Sequence, residues 1–181
     1  MKKVCVFGAS SNNIDPVYIE QTEYLGRMMA DSEMTLVYGG WTSGLMGAVA
    51  RGVRENDGYI IGVSPKLFNT AGVLYPDFNE LFLTDDLTER KQLMLKMSDC
   101  FVVVPGGIGT FDELFEVYAQ SQLGYYHKPL VLYNINGYYD LLWEFILKSR
   151  DEGFCTDKSI SLCHLANSAR EVVDILNIWT Y

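Results

Sequence analysis

Short apolar runs alternate with helical patterns along all 181 residues of the chain, and few architectures accept that alternation. Strand-like runs fall at Lys3–Phe7, Met34–Tyr38, Tyr59–Val63, Glu80–Leu83, Cys100–Val104 and Leu130–Tyr133, with a weaker one at Ile160–Leu165. Helical patterns occupy the gaps. Asp15-Pro16 supplies an N-cap followed by proline at the first helical position, opening a helix to about Asp31. The others run over Ser43–Glu55, Asp86–Ser98, Phe111–Leu123, Tyr138–Glu152 and Ser168–Ile178. Runs such as Phe101-Val102-Val103-Val104 are apolar at every position, as a strand buried on both faces requires. The expected fold is therefore α/β: an open parallel sheet with helices on both faces, three layers in one domain spanning residues 1–181. Lys66–Asp77 is the longest irregular stretch and reads as a rim or lid.

Composition narrows the class of partner. Apolar residues make up 49% and charged residues 20%, the balance of a folded globular chain. With 14 Lys+Arg against 23 Asp+Glu, the net charge of −9 repels a polyanion, so nucleic acid is not expected as a partner. No run approaches the roughly 20 apolar residues of a membrane span, and the apolar start at Val4–Phe7 ends at Gly8, too short for a secretory core. Cys5, Cys100, Cys155 and Cys163 show no CxxC spacing, which points to free thiols and a reducing, cytoplasmic setting.

Sheets of this kind bind ligands beyond the carboxyl ends of their strands. Three such ends are glycine-rich: Gly8-Ala9-Ser10-Ser11, Gly39-Gly40-Trp41-Thr42-Ser43-Gly44-Leu45-Met46-Gly47, and Pro105-Gly106-Gly107-Ile108-Gly109-Thr110. Each leads toward a helix, whose free N–H groups and partial positive charge suit a phosphate. Any one of them alone reads as a tight turn; three on one edge read as a site. No GK[ST] follows a glycine loop, the first loop is not GxGxxG, and the second strand ends at Tyr38-Gly39 rather than a ribose-binding carboxylate. A mononucleotide or sugar phosphate fits better than a dinucleotide, and no cofactor is expected.

Two helices carry the candidate chemistry. Leu87, Met94 and Met97 mark an apolar stripe, and Arg90 and Lys91 lie within or beside it. An unpaired buried cation costs several kcal/mol. The two heads snorkel to solvent, meet acidic partners, or meet a bound phosphate. Thr110-Phe111-Asp112-Glu113 has the capping-box form, Thr110 at the N-cap and Glu113 at N3. Glu113, Glu116 and Gln120 share one face of that helix, opposite Phe111, Leu114, Phe115 and Tyr118. A carboxylate one turn from an anion site is placed to act on whatever the anion carries. His127 and His164 lack ligand-spaced partners, and Ser10, Ser11 and Ser43 lack a histidine identifiable from sequence, so neither a metal centre nor a Ser-His-Asp hydrolase is expected. Tyr125, Tyr126, Tyr138, Tyr139 and Trp143 read as core or as the seam of a homodimer.

Pro105-Gly106-Gly107-Ile108-Gly109-Thr110-Phe111-Asp112-Glu113 resembles the PGGxGTxxE signature of the Lonely Guy family. Gly39-Gly40 with Gly44-Leu45-Met46-Gly47 resembles its GGGxxGLMG, and Arg90-Lys91 its RK pair. The resemblance runs from Val4 to about Gly153. It implies a Rossmann-like sheet, usually dimeric, and hydrolysis of the N-glycosidic bond of a nucleoside 5′-monophosphate to free base and ribose 5-phosphate. The family's other label, lysine decarboxylase, finds no pyridoxal-phosphate lysine setting here. Carried over by position, Arg90 and Glu113 are the implied catalytic pair. The implied substrate and phosphate contacts are Ser10, Ser11, Gly39, Gly40, Lys91, Gly106, Gly107, Ile108, Gly109, Thr110 and Glu116. Two positions depart from the family pattern: Trp41 replaces the third glycine of GGGxxGLMG, and Thr88 stands where histidine is frequent. A nucleotide carrier or sensor without hydrolysis, and a sugar-phosphate enzyme with no base in its substrate, are the rival readings.

Overall fold

Strand β1 (Lys3–Phe7) shows how the layers arise. Its period-two alternation sends Val4 and Val6 into one core and Cys5 and Phe7 into the other, all four buried. The computed structural model describes residues 1–70 and 72–179, and Ala71, within the irregular 66–77 stretch, lies outside them. After β1 come α1 (Pro16–Asp31), β2 (Thr35–Tyr38), α2 (Gly44–Glu55), β3 (Ile60–Pro65), β4 (Glu80–Thr84) and α3 (Leu87–Met97). Then follow β5 (Cys100–Val103), α4 (Ile108–Gln122), β6 (Leu130–Tyr133), α5 (Asp140–Asp151), α6 (Asp157–Ile160), β7 (Cys163–Ala166) and α7 (Ala169–Ile178).

Among the described residues seven strands form one sheet in the order β4-β3-β2-β1-β5-β6-β7, every neighbouring pair parallel. Leu25 and Met29 of α1, Val49 of α2 and Val172 of α7 pack on one face; Met94 of α3, Leu114 of α4 and Ile146 of α5 pack on the other. This is the expected three-layer α/β/α arrangement. The chain winds outward from β1 to β4, then returns to place β5 on the opposite side of β1. That reversal opens a crevice beyond the carboxyl ends of β1 and β5, where the first and third glycine loops lie. Among the described residues no helix is long and apolar enough to cross a membrane, and the four cysteines are free.

Several sequence expectations need correction. α4 starts at Ile108 with Gly107 as its N-cap, so Thr110 is not a cap and the capping box does not form. Thr110 is instead buried in the first turn, where its Oγ1 and Cβ pack on Gly106 too closely to leave room for a side chain there. The weak strand at Ile160–Leu165 is shifted: Thr156 caps the single turn of α6, and the strand begins at Cys163. Leu87, on the apolar stripe of α3, and Phe115, on the apolar face of α4, are nevertheless 55% and 46% exposed. Of the aromatics read as core or seam, Tyr139 is core as expected and Tyr125 is exposed. The α5 pattern is preceded by a separate turn of 3-10 helix, Ile135–Gly137.

Candidate active site

An open cavity of about 410 Å³ sits at the carboxyl edge of the sheet. Its walls come from all three glycine loops together with α3 and α4: Ser10 and Ser11 after β1, Trp41 and Met46 after β2, Gly107, Gly109 and Thr110 after β5. Leu87, Arg90 and Lys91 enter from α3, Asp112 and Glu113 from α4, and Phe68 from a 3-10 turn, Lys66–Phe68, that opens the stretch read as irregular.

Capping sets Arg90 in place. Asp86 Oδ1 accepts the Glu89 amide at 2.8 Å and Glu89 Oε2 accepts the Asp85 amide at 2.7 Å, fixing the start of α3 one turn before the arginine. The Arg90 side chain, only 10% exposed, donates from Nε to the Val63 carbonyl at 3.2 Å and from Nη1 to Glu113 Oε1 at 2.8 Å. Glu113 is 11% exposed, so the two charges form a buried, hydrogen-bonded ion pair. Burial pushes the Glu113 carboxyl above the usual carboxylate range, while Arg90 draws it back down. Removing one member of such a pair strands the other, typically at about 3–5 kcal/mol.

Gly39 explains why the second loop begins with glycine. A Cβ there would lie 2.3 Å from Arg90 Nη2 and 3.3 Å from its guanidinium carbon. Gly39→Ala is expected to push the guanidinium off Glu113 and lower kcat/KM by roughly 100-fold. The melting temperature should fall as well, because a guanidinium displaced from Glu113 leaves buried charge without its partner. Steady-state kinetics beside a thermal melt checks both.

Lys91 follows the second of the arrangements open from sequence. Its Nζ lies 2.9 Å from Asp112 Oδ2 and 2.6 Å from Glu116 Oε2, and the Glu116 hydrogen bond leads the effects that raise its pKa. Glu116 therefore holds Lys91 instead of lining the cavity, and Gln120 donates to its other oxygen at 3.2 Å. Arg90 and Lys91 both have carboxylate partners in this structure.

The glycine loops divide their labour. The amides that open α2 are already taken: Gly44 N donates to Asn12 Oδ1 at 2.8 Å and Leu45 N to the Ala9 carbonyl at 2.8 Å. The second loop thus buttresses the first, and Gly40 turns away with a positive φ of 83° while its carbonyl accepts the Tyr75 amide at 2.8 Å. At α4 the situation is the reverse. Gly107 offers no side-chain cap, residues 107 to 109 are exposed, and a Cβ on Gly107 or Gly109 would meet nothing within 4 Å. The amides of Ile108, Gly109 and Thr110 open a fifteen-residue helix facing the cavity, an arrangement suited to a phosphate. Ile108 brings only its backbone, its side chain being 83% exposed. Gly106 lies behind the loop, its carbonyl accepting Tyr138 Oη at 2.7 Å.

The structure thus brings Ser10, Ser11, Arg90, Lys91, Gly107, Gly109, Thr110 and Glu113 to one cavity, with Gly39 directly behind Arg90. Met46, Phe68 and Asp112 line it without having been singled out as site residues. Phe68 carries no signal beyond the rim-like stretch containing it, and Asp112 stands directly before Glu113 in the glycine-loop motif.

Fold and site together define a doubly wound α/β protein with an open helix N-terminus beside a buried Arg–Glu pair. A family model described as "possible lysine decarboxylase" matches residues 46–176. The chain is 37% identical over 178 residues to cytokinin riboside 5′-monophosphate phosphoribohydrolase LOG5 of Arabidopsis thaliana, covering 98% of this chain and 78% of that protein. Against the probable phosphoribohydrolase LOG6 of the same plant it is 39% identical, covering 94% and 85%. The chain belongs to this Lonely Guy family. Among solved structures, the molybdenum cofactor binding protein of Rippkaea orientalis superposes with a TM-score of 0.75 at 19% identity, covering 97% of this chain and 95% of that one. The molybdenum cofactor carrier protein of Chlamydomonas reinhardtii gives 0.73 at 21%, covering 97% and 96%. At those identities the likeness is one of fold.

Proposed function

We propose that this protein hydrolyses the N-glycosidic bond of a nucleoside 5′-monophosphate, AMP or a cytokinin riboside monophosphate, to free base and ribose 5-phosphate. The observation that carries the reading is the buried Arg90–Glu113 pair at 2.8 Å, in one cavity with the open N-terminus of α4. Phosphate on the amides of residues 108–110 anchors the substrate away from the reacting carbon, so its binding energy serves positioning. Cleavage passes through an oxocarbenium-like sugar, which Glu113 stabilises as a carboxylate or attacks with an activated water. Arg90 holds that carboxylate in place and turns its remaining donors to ribose and phosphate. Lys91, fixed by Asp112 and Glu116, adds positive charge at the cavity wall.

Incubation of the pure protein with AMP and with isopentenyladenosine monophosphate, followed by chromatography, tests the reading. Free base and ribose 5-phosphate in equal amounts support it. Tight binding without base release favours the carrier that the molybdenum cofactor proteins bring to mind through their fold.

The reading includes a homodimer and a cytoplasmic setting. Phe115 of α4 and Phe145 of α5, 46% and 65% exposed, border a shared groove of about 260 Å³, and Leu141 lies one turn from Phe145. Exposed apolar side chains grouped in this way suit an association surface, which a second copy would cover by two-fold symmetry. Phe145→Glu is expected to give a monomer in analytical ultracentrifugation where the wild type sediments as a dimer.

A further inference from the structure

We propose that Trp41, braced by Phe68, selects the base by stacking on its ring face, so that this chain separates purines from pyrimidines by ring area and reads little of the base's hydrogen-bonding edge. The inference rests on the phosphoribohydrolase reading above and adds to it the residue that chooses the leaving base.

Strand order lays out the cavity. The phosphate end belongs to α4, which follows β5, and Ser10 and Ser11 follow β1. Moving along the sheet from β1, the ends of β2, β3 and β4 lead to Trp41, Phe68 and Leu87. β5 and β2 are two strand spacings apart, about 10 Å, so a ligand anchored at α4 and extended across β1 brings its far end to Trp41. In a nucleoside monophosphate that far end is the base.

Trp41 is held for this role. Its backbone pairs with Leu74, Thr42 N donates to the Val73 carbonyl at 3.0 Å, and its ring meets Phe68 edge-to-face at 5.3 Å between centroids. The 62° between the two rings is an edge-to-face packing that fixes the orientation of the Trp41 side chain. Trp41, Met46, Phe68 and Leu87 carry no carboxylate, amide or hydroxyl between them. The cavity's charged side chains are engaged with one another: Arg90 with Glu113, Lys91 with Asp112 and Glu116. A wall of that chemistry rewards ring area and has almost nothing with which to read an edge. Trp41 stands where the family motif has glycine, so the device belongs to this chain rather than to the motif.

The test uses the full chain, with Trp41→Ala and Trp41→Phe, against AMP, IMP and CMP. AMP and IMP present opposite donor and acceptor patterns at the six-position; CMP has the smaller ring. For the wild type, kcat/KM for AMP and IMP should agree within about threefold and exceed that for CMP by about tenfold or more. Trp41→Ala should raise KM for both purine nucleotides by about tenfold with kcat kept, and Trp41→Phe should restore most of the loss. Tryptophan fluorescence gives a readout free of turnover: AMP and IMP should quench the wild type, ribose 5-phosphate should not, and Trp41→Phe should lose the response while Trp143 and Trp179 remain. A tenfold gap between AMP and IMP, or unchanged KM and quenching in the variants, overturns the proposal while leaving the hydrolase reading intact. Trp41-dependent quenching without base release supports the proposal and overturns the hydrolase reading.

Discussion

Glu113→Gln should lower kcat for AMP by about 10²–10⁴-fold, the range that a positioned acid–base group contributes, while nucleotide affinity changes only a few-fold. The amide keeps the size of the carboxylate and still accepts from Arg90, so the cavity keeps its shape. What it loses is negative charge beside the developing oxocarbenium ion and any capacity to take a proton from water. The wild type should show a matching pH profile. Burial raises the Glu113 pKa above 4.5, and the working form is the carboxylate. Activity therefore falls as the pH drops through a value above the ordinary carboxylate range, and the acid limb of kcat/KM reads that group in the free enzyme. Single-turnover kinetics of the variant, beside calorimetric titration with AMP, separates chemistry from binding. Near-normal turnover in Glu113→Gln removes this residue from the mechanism.

Arg90→Ala should abolish measurable turnover and should also cost about 3–5 kcal/mol at neutral pH. Its removal leaves Glu113 buried without a counter-charge and leaves the Val63 carbonyl without its donor. The sign of the pH dependence follows from linkage. Losing Arg90 raises the folded-state pKa of Glu113 further above its unfolded value, because the cation was drawing it down. Between those two values the folded form binds more protons than the unfolded one, so stability falls as pH rises. The deficit against wild type should be smallest in acid and grow toward neutral pH. Urea denaturation across that range checks it, and a deficit independent of pH shows that Glu113 does not feel the missing charge.

Much of the fold was legible because a parallel sheet buried on both faces leaves an unambiguous trace. Lys3–Phe7 and Leu130–Tyr133 coincide with observed strands, since continuous apolar runs of that length have no other place to be buried. The least apolar candidate, Ile160–Leu165, was misplaced. There a Thr156 cap and one helical turn competed successfully with a weak strand pattern. Thr110 misled for a different reason. The motif T-x-x-E describes a local hydrogen-bond exchange, yet the tight approach of Gly106 to Thr110 starts the helix at Ile108 and draws the threonine inside.

The site divides along the same line. Residue type and spacing marked the glycine loops, the inward cation at Arg90 and the polar face bearing Glu113, because each conflicts with its local surroundings unless something nearby resolves it. That Arg90 would meet Glu113, or that Gly39 must stay bare to let the guanidinium pass, depends on β3, β2 and β5 standing in a particular order. Sequence period fixed which side of each element is apolar, a property of neighbours a few residues apart. Which elements stand side by side, and hence that Phe68 braces Trp41 while Glu116 holds Lys91, was decided by close packing between segments distant in the chain, where no local pattern carries the information.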